Sequence, residues 1–567
     1  MPSRRSHTHT GGNEEKSREH DSLPLLRALD IAGGDPLAVI LEAENPRDIV
    51  QSLSEQDFFW LMKKATGDEV LPLLTLASSE QKQYLLDLEI WDRDRVDRNR
   101  SLHWLQLFSE ADPEGLAWWI FYEGQQIARF LLQGNLEMII REPDEELELT
   151  DEFFSFDDTL YLRVTDQEHR KTIEGMIEIM YREDDIMARS LLQEIVSVVP
   201  SEVEEEQYRL RANRISELGF LPFEEAAAVF SPLEPLSLRE DETSSFHPYA
   251  SGEDDRPAPP VIPLHQMKGT SLLADSLAGI GDPQQFDRIR FEFAGLCNRI
   301  TAAEGLSRLD FDTLGEKCRK AGGYLNIAVE SICGQDPQRA RRLMENNPLE
   351  HIFRVGFGLA LTLNDTVMTW IDESWFRSRG LPASFWGEPA GMILSGLLKR
   401  PPRHFTGRED TEYRDFEQVS ELEAAAAVFR HLRAMDDLLR KIDETIPHSV
   451  ELLESETVTA PGIIFTFWAR GTLGRKEGAL ELSIAEAHEF MELLRTGEPG
   501  PPFAMPGREE RFIRDLTGGV RPPDAARSED MRHSLSLLWK EFSEEYKWVP
   551  ASALDRRFAR FLLIRKA

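Results

Sequence analysis

NPRDIVQSLSEQDFFWLMKKA, residues 45–65, is the stretch that decides the fold, because it begins two helices in quick succession. Asn45 followed by Pro46 is one helix start. Ser54, with Asp57 three positions later, is the next. A helix of about two to three turns is marginal alone, because nucleation costs more than a few backbone hydrogen bonds return. The sequence therefore predicts short helices that stabilise one another by packing.

We expect the second of these helices to fold back on the first, so that Ile49 and Leu53 are buried against Phe58 and Met62. Short amphipathic segments of the same kind, each begun by a capping residue and broken by Gly, Pro or a polar pair, continue over residues 22–140. Stacked pairs of short helices form extended superhelices. A superhelix is therefore the architecture predicted for this part of the chain.

Residues 44–88, ENPRDIVQSLSEQDFFWLMKKATGDEVLPLLTLASSEQKQYLLDL, resemble the N-terminal cytosolic domain of MgtE-type magnesium channels and, more distantly, the helical repeats of the flagellar motor switch protein FliG. The shared features are a Pro-x-Asp-Ile/Val opening and L-x-x-L helices separated by polar caps. The resemblance implies a right- or left-handed superhelix of short helix pairs over residues 22–140. We find neither a paired nucleotide-sensing module nor a membrane channel in the rest of the sequence, so we do not expect magnesium transport.

A second resemblance covers most of the chain. Residues 204–233, EEEQYRLRANRISELGFLPFEEAAAVFSPL, and residues 296–305, LCNRITAAEG, resemble segments of large uncharacterised bacterial proteins that share a domain of unknown function. This resemblance implies a relative for the chain and does not imply an activity.

At 567 residues the chain is long enough for several compact units, and the patterning predicts a mainly α-helical protein. Alternating apolar residues predict one small β-hairpin near residues 153–165, formed by Thr159–Val164 and Phe153–Phe156. The predicted segments are a disordered tail (1–21), the superhelix (22–140), an acidic segment with the hairpin and helices (141–238), a Pro-rich acidic linker (239–266), a helical domain (267–399) and a C-terminal helical region (400–567), which includes one long helix at 416–443.

The charge, the cysteine content and the length of the apolar runs limit the functions that we expect for this chain. The chain has 101 acidic and 65 basic residues, and a net charge of -36 repels a phosphate backbone, so we do not expect nucleic acid as a partner. Three scattered cysteines without a C-x-x-C pair favour a reducing cytoplasm over a disulfide framework. The longest apolar run, Val355–Leu363, is far shorter than the roughly 20 residues of a membrane-spanning helix, so we expect no transmembrane segment.

The acidic run at residues 142–158 is the first candidate for a cation site, because Mg²⁺ and Ca²⁺ prefer clustered oxygen ligands. Its spacing matches no calcium-binding loop, and a run of like charges is usually a solvated surface. We predict no defined metal site and no cofactor, and keep magnesium as an alternative. The candidate ligands for that alternative are Asp144, Glu145, Glu146, Asp157 and Asp158.

Two further groups are candidates for protein interaction. Tryptophans anchor interfaces but also fill the space between stacked helices. Arginines bind carboxylates or phosphates but also form internal ion pairs. Both alternatives stay open for each group. The candidates are Trp104, Trp118 and Trp119, and Arg209, Arg211 and Arg214.

The familiar catalytic motifs are absent from the sequence. It has no G-x-x-x-x-G-K-[ST] loop and no G-x-S-x-G elbow, and HEFME at residues 488–492 lacks the second histidine of the zinc-protease helix. We therefore expect a cytoplasmic helical scaffold or regulatory protein that binds a protein partner, rather than an enzyme. The alternatives are a module that responds to divalent cations and an enzyme of unrecognised type. The partner and the oligomeric state stay open.

Overall fold

The computed structural model describes residues 36–141, 150–195, 200–238, 259–267, 271–305, 309–408, 412–446, 458–475, 478–495, 500–518, 520 and 524–565. The described residues are mainly α-helical, with three two-stranded antiparallel sheets, so the predicted fold class is confirmed. The predicted tail at residues 1–21 lies outside the described residues. The chain divides into two compact units: Met1–Leu325 with Ile332–Arg354, and Asn326–Ser331 with Val355–Ala567.

The first unit begins with the short helices that the sequence predicts. We number the described elements in chain order. Its helices are α1 Pro36–Leu41, α2 Pro46–Ser52, α3 Glu55–Lys64, α4 Val70–Leu76, α5 Ser79–Glu89, α6 Arg98–Ala111, α7 Pro113–Tyr122, α8 Gln125–Gln133, α9 Arg170–Glu183, α10 Asp185–Glu194, α11 Pro200–Ser216, α12 Phe223–Ala226, α13 Ile262–His265, α14 Leu272–Ala278, α15 Pro283–Glu304, α16 Phe311–Cys333, α17 Pro337–Asn346 and α18 Leu349–Glu373. Of these, α16 and α18 also contain residues of the second unit. Its strands are β1 Trp91–Asp92, β2 Arg95–Val96, β3 Leu136–Ile140 and β4 Leu160–Val164.

The predicted helix start at Ser54 is confirmed, because the Ser54 hydroxyl accepts the backbone N–H of Asp57 at 3.1 Å. The packing partners differ from the prediction: α2 packs chiefly on α4, and α3 on α5. The link at Leu53 and Ser54 is extended, with ψ of 146° and 153°, so it carries the chain onward instead of reversing it. Val50 is fully buried, whereas Ile49 is only half-buried. The helices α2, α3 and α4 thus each pack on the next helix but one, α4, α5 and α6 respectively.

Strand β4 confirms the predicted strand near residue 160, with Leu160, Leu162 and Val164 pointing inward. Its main partner is β3, in a register from Leu136 opposite Val164 to Ile140 opposite Leu160. The predicted partner, Phe153–Phe156, contributes a single bridge from Phe154 to Leu162. Alternation along one strand shows which side is buried but does not identify the partner. Residues 136–140 are correspondingly a strand and not the end of the superhelix.

Part of the predicted linker is an ordered piece of the first unit. Residues 239–258 lie outside the described residues, but residues 259–267 are described, and they include α13, with Val261 and Ile262 buried. The carboxylate of Asp57 accepts the N–H of Val261 at 2.8 and 3.0 Å and that of Ile262 at 2.8 Å, across a separation of 204 to 205 positions. Asp57 therefore binds the N-terminal end of α13 against α3.

The second unit confirms the predicted long helix, which spans Val419–Thr445. Phe465 stacks on Phe542 at 4.4 Å and on Phe512 at 4.6 Å between ring centroids, and these rings form the centre of its core. Its further elements are α19 Trp375–Ser378, α20 Ala390–Leu397, β5 His404–Phe405, β6 Tyr413–Arg414, α21 Val419–Thr445, α22 Ala460–Thr472, α23 Ile484–Leu494, α24 Arg508–Thr517 and α25 Ala525–Tyr546.

Among the described residues, no helix combines the length and the apolar content that crossing a membrane requires.

Candidate functional site

Asp157 is a half-buried member of the predicted cation ligands, and the protein itself occupies both of its oxygens. Oδ1 accepts the N–H groups of Thr159 and Leu160 at 2.9 and 2.8 Å. Oδ2 accepts the Tyr181 hydroxyl at 3.1 Å and Arg189 Nε at 2.9 Å. Partial burial alone would raise the pKa of Asp157, but these hydrogen bonds and the Arg189 charge lower it. This carboxylate fixes the loop that precedes β4.

The other predicted cation ligands do not gather around Asp157. Asp144, Glu145 and Glu146 lie outside the described residues, and Asp158 is exposed with a φ of 54°. Within the part of the chain that the structure describes, no three His, Cys, Asp or Glu side chains are grouped so as to hold a metal ion.

Two of the three candidate arginines bind an acidic residue inside the first unit. Arg214 donates from Nε and Nη2 to the Asp87 carboxylate, both at 2.7 Å. Arg211 donates from Nε to the Asp87 carbonyl oxygen, and its guanidinium lies 5.4 Å from the centre of the Trp91 ring. Burial lowers the pKa of Arg211 to about 10, in spite of the Asp87 charge. These contacts attach α11 to α5.

The remaining arginine and the first tryptophan make local contacts. Arg209 is exposed and pairs with Glu205 one turn earlier on α11, at 3.2 Å. Trp104 is half-buried on α6, with its ring 6.0 Å from His103 and 6.5 Å from Phe108. These contacts do not bring Arg209 or Trp104 together with the other candidate residues.

The two tryptophans of α7 point in different directions, because successive residues of a helix are about 100° apart. Trp119 is 7% exposed, and its Nε1 donates to Oε1 of Gln83 at 2.8 Å. Trp118 is 44% exposed, and its ring lies 5.6 Å from that of Tyr122, which is 61% exposed. Trp119 therefore packs inside, whereas Trp118 and Tyr122, one turn apart, form an outward aromatic pair.

The aromatic pair continues onto the neighbouring helix α10. The Tyr122 hydroxyl lies 3.8 Å from Sδ of Met187, which is half-buried. Ile186, the preceding residue, is 76% exposed. We call Trp118, Tyr122, Ile186 and Met187 the Trp118 surface. Apolar side chains grouped in this way at a protein surface are typical of interaction sites.

A shallow cleft opens beside Trp118, between α5, α6 and α7. Lys82 forms a salt bridge with Asp112, whose Oδ1 also accepts the Gly115 N–H at 3.0 Å. Burial alone would raise the pKa of Asp112, but these donors lower it. The residues that line the cleft are Ser79, Lys82, Leu86, Phe108, Asp112, Gly115, Leu116, Trp118, Trp119 and Glu123.

Glu123 brings an additional negative charge to this cleft. Partial burial and the nearby charges of Glu80 and Asp87 raise the pKa of its carboxyl, against the opposing charge of Arg214. Both Glu80 and Glu123 are exposed. Neither forms a salt bridge or a side-chain hydrogen bond with another residue that the structure describes. The cleft therefore has a lysine that is already paired and a glutamate, Glu123, that is not, and Glu80 is a second unpaired glutamate whose charge acts on Glu123.

Sequence reasoning missed Tyr122, Ile186 and Glu123. Tyr122 had a usable signal, because it follows Trp118 by four positions and four-residue spacing places two side chains on one face of a helix. Ile186 and Glu123 had none, since a single isoleucine or glutamate in a helix is ordinary. Glu123 became relevant because it lines a cleft together with Trp118, and Ile186 because it precedes Met187, which contacts Tyr122.

Almost the whole chain is similar to a known protein family: the sequence model of the family described as "Family of unknown function (DUF6178)" matches residues 18–565. No curated protein and no solved structure matches the chain.

Proposed function

The chain belongs to the DUF6178 family of unknown function, and we propose that it is a helical scaffold or regulatory protein that binds another protein through the Trp118 surface. The observation that carries this proposal is the exposure of Trp118 and Tyr122 side by side, with Ile186 on the adjacent helix. Tryptophan and tyrosine contribute more binding energy to protein interfaces than most residues.

A partner that buries these side chains would remove from water apolar surface that is exposed in the free protein. Fully burying one large apolar side chain is worth about 1.5–3 kcal/mol. The surface lies on helices that are themselves well packed, since Trp119 and Ile120 anchor α7 in the core. A partner would therefore meet a rigid surface, which reduces the entropy cost of binding.

The resemblance of residues 44–88 to the N-terminal domain of MgtE-type channels supports the same class of role, because stacked short helices provide extended surfaces for recognition. We place the protein in the cytoplasm, in line with three cysteines that are all buried and not joined in disulfides. The magnesium-responsive alternative has no comparable support, because Asp157 is fully engaged by protein donors.

Site-specific photo-crosslinking tests the proposal. Tyr122 is replaced by p-benzoylphenylalanine in the full chain, in the cells that make it, and exposed Trp548 of the second unit is the matched control position. We expect a discrete crosslinked product from position 122, absent from position 548 and reduced when Trp118→Ala is added. Products that are the same at both positions, or that do not depend on Trp118, would contradict the proposal.

A further inference from the structure

We propose that the segment bound at the Trp118 surface is basic: it carries an arginine or lysine whose cation lies on the indole of Trp118 and pairs with Glu123 and Glu80. This inference rests on the proposed function and specifies the chemistry of the partner. The occupant is a cationic, partly apolar segment of another protein.

Around the Trp118 surface, the charged side chains without a salt-bridge partner in the described ranges are acidic. The neighbouring cations already have partners: Lys82 pairs with Asp112, Arg214 with Asp87 and Arg189 with Asp157. The exposed acids at the border of the surface have no such partner among the described residues, apart from Glu183, which contacts Arg182. These acids are Glu80, Glu123, Glu183 and Asp185.

Glu123 of the cleft and the nearby Glu80 repel each other in the free protein. Partial burial raises the pKa of Glu123, and the charges of Glu80 and Asp87 raise it further, against the opposing charge of Arg214, because a negative charge nearby disfavours ionisation. A cation placed between Glu80 and Glu123 would reverse that effect. Binding of a cation therefore relieves a repulsion as well as forming an attraction.

The aromatic wall of the cleft fits the same ligand. The face of an exposed tryptophan attracts a cation within about 6 Å of its ring. Arginine suits the site best, because its planar guanidinium stacks on an aromatic ring and donates in a fork to a carboxylate. The free volume of the cleft is about 40 Å³, which accommodates the end of one side chain but is far below a drug-sized pocket. The remaining apolar residues, Tyr122, Ile186 and Met187, would contact the rest of the segment.

Other occupants fit less well. A second copy of this chain carries the same charge of -36, and an anionic membrane or a nucleic acid is repelled by the same acids. A basic protein segment is the occupant whose charge complements the surface.

The test uses the full chain labelled with 5-fluorotryptophan and followed by fluorine NMR, which reports weak binding at single tryptophans. Trp118→Phe assigns the Trp118 resonance among the eleven tryptophans. The probe is the peptide acetyl-Leu-Arg-Ala-Leu-Arg-Ala-Leu-amide. The matched probes replace arginine by citrulline, which has nearly the same shape and no charge, or by glutamate.

We expect the Trp118 resonance to shift with the arginine peptide and the peptide to bind about tenfold more tightly than its citrulline counterpart, the size of a partly desolvated cation–π contact with charge pairing. Glu80→Gln combined with Glu123→Gln should reduce the affinity to the citrulline level. Glu423→Gln combined with Glu529→Gln removes the same charge from exposed positions of the second unit and should leave the affinity unchanged. The other tryptophan resonances report whether each variant is folded.

Equal affinity of the arginine and citrulline peptides would overturn the inference, as would full affinity in the Glu80→Gln/Glu123→Gln variant or a Trp118 resonance that moves with none of the peptides. None of these results affects the proposed function, which is judged by the Trp118-dependent crosslink from position 122. A crosslinked partner that binds through a neutral or acidic segment would support the proposed function and contradict the inference that the bound segment is basic. A crosslink to a second copy of the chain would also contradict the inference that the bound segment is a basic segment of another protein.

Discussion

Replacement of Asp57 by asparagine tests whether an ionisable group is truly enclosed in the first unit. Asp57 is 1% exposed and accepts the N–H groups of Val261 and Ile262. Burial raises the pKa of its carboxyl from the usual 3.8 to about 6, because these hydrogen bonds do not fully replace hydration. A raised pKa in the folded state means that the native protein holds this proton more tightly than the unfolded chain does.

The sign of the pH dependence follows from that difference. Below pH 3.8 the carboxyl is neutral in both states and its contribution to stability is complete. As the pH rises through about 6, the native state must ionise a buried group, and that contribution is lost. The interval from 3.8 to about 6, at 1.36 kcal/mol per pH unit, corresponds to a loss of about 3 kcal/mol. The amide of the Asp57→Asn variant cannot ionise, so the variant should not show this loss.

The assay is urea unfolding, followed by circular dichroism between pH 4 and pH 7.5, for the wild type and Asp57→Asn. The free energy of unfolding of the wild type, relative to the variant, should fall by about 2.4 kcal/mol over this range, because roughly 0.6 kcal/mol of the total is already lost at pH 4. Asp48→Asn, at an exposed position of α2, is the control and should show no such trend. A wild-type-to-variant difference that is constant with pH, or that grows in favour of the wild type as pH rises, would refute the reasoning.

Three further outcomes are expected from residues of the two cores. Arg214→Met should lower the free energy of unfolding by about 2 kcal/mol, because it leaves the buried Asp87 carboxylate with fewer donors; a urea titration that shows less than ~0.5 kcal/mol would contradict this. Phe465→Ala should destabilise the second unit by about 3–5 kcal/mol through the cavity left among stacked rings, whereas an unchanged melting temperature would exclude that role for the ring. The thiols of Cys297 and Cys318 should react with iodoacetamide only after unfolding, since both are buried and burial raises the pKa of Cys297; mass spectrometry of the native protein that finds either one alkylated rapidly would disprove their enclosure.

The sequence was a good guide to local structure. Ser54 and Pro46 marked helix starts correctly, because capping and proline geometry depend on only a few neighbouring residues. The inward face of β4 could likewise be predicted from alternation. The partner of β4 could not, since strand pairing joins separate segments of the chain, here residues 136–140 and 160–164, and the sequence of one strand does not identify the other.

The candidate site was only half predictable for the same reason. The sequence shows directly that tryptophans are concentrated in residues 104–119, but it does not decide which of them are packed inside and which are exposed. The structure assigns Trp119 to the inside and Trp118 to the surface. The direction of each ring depends on where the neighbouring helices lie, which is a property of the whole unit. Glu123 and Ile186 became relevant only through that arrangement.

The hydrogen bonds from Val261 and Ile262 to Asp57 have a practical consequence for dividing the protein. The polar, acidic composition of residues 239–258 invites a cut there. A fragment that ended at residue 238 would keep Asp57 but lose the three backbone hydrogen bonds that its enclosed carboxylate accepts. Two fragments separated at this point should therefore recover a native first unit only when they are produced together, as complementing pieces of one body, and neither should behave as a free-standing domain.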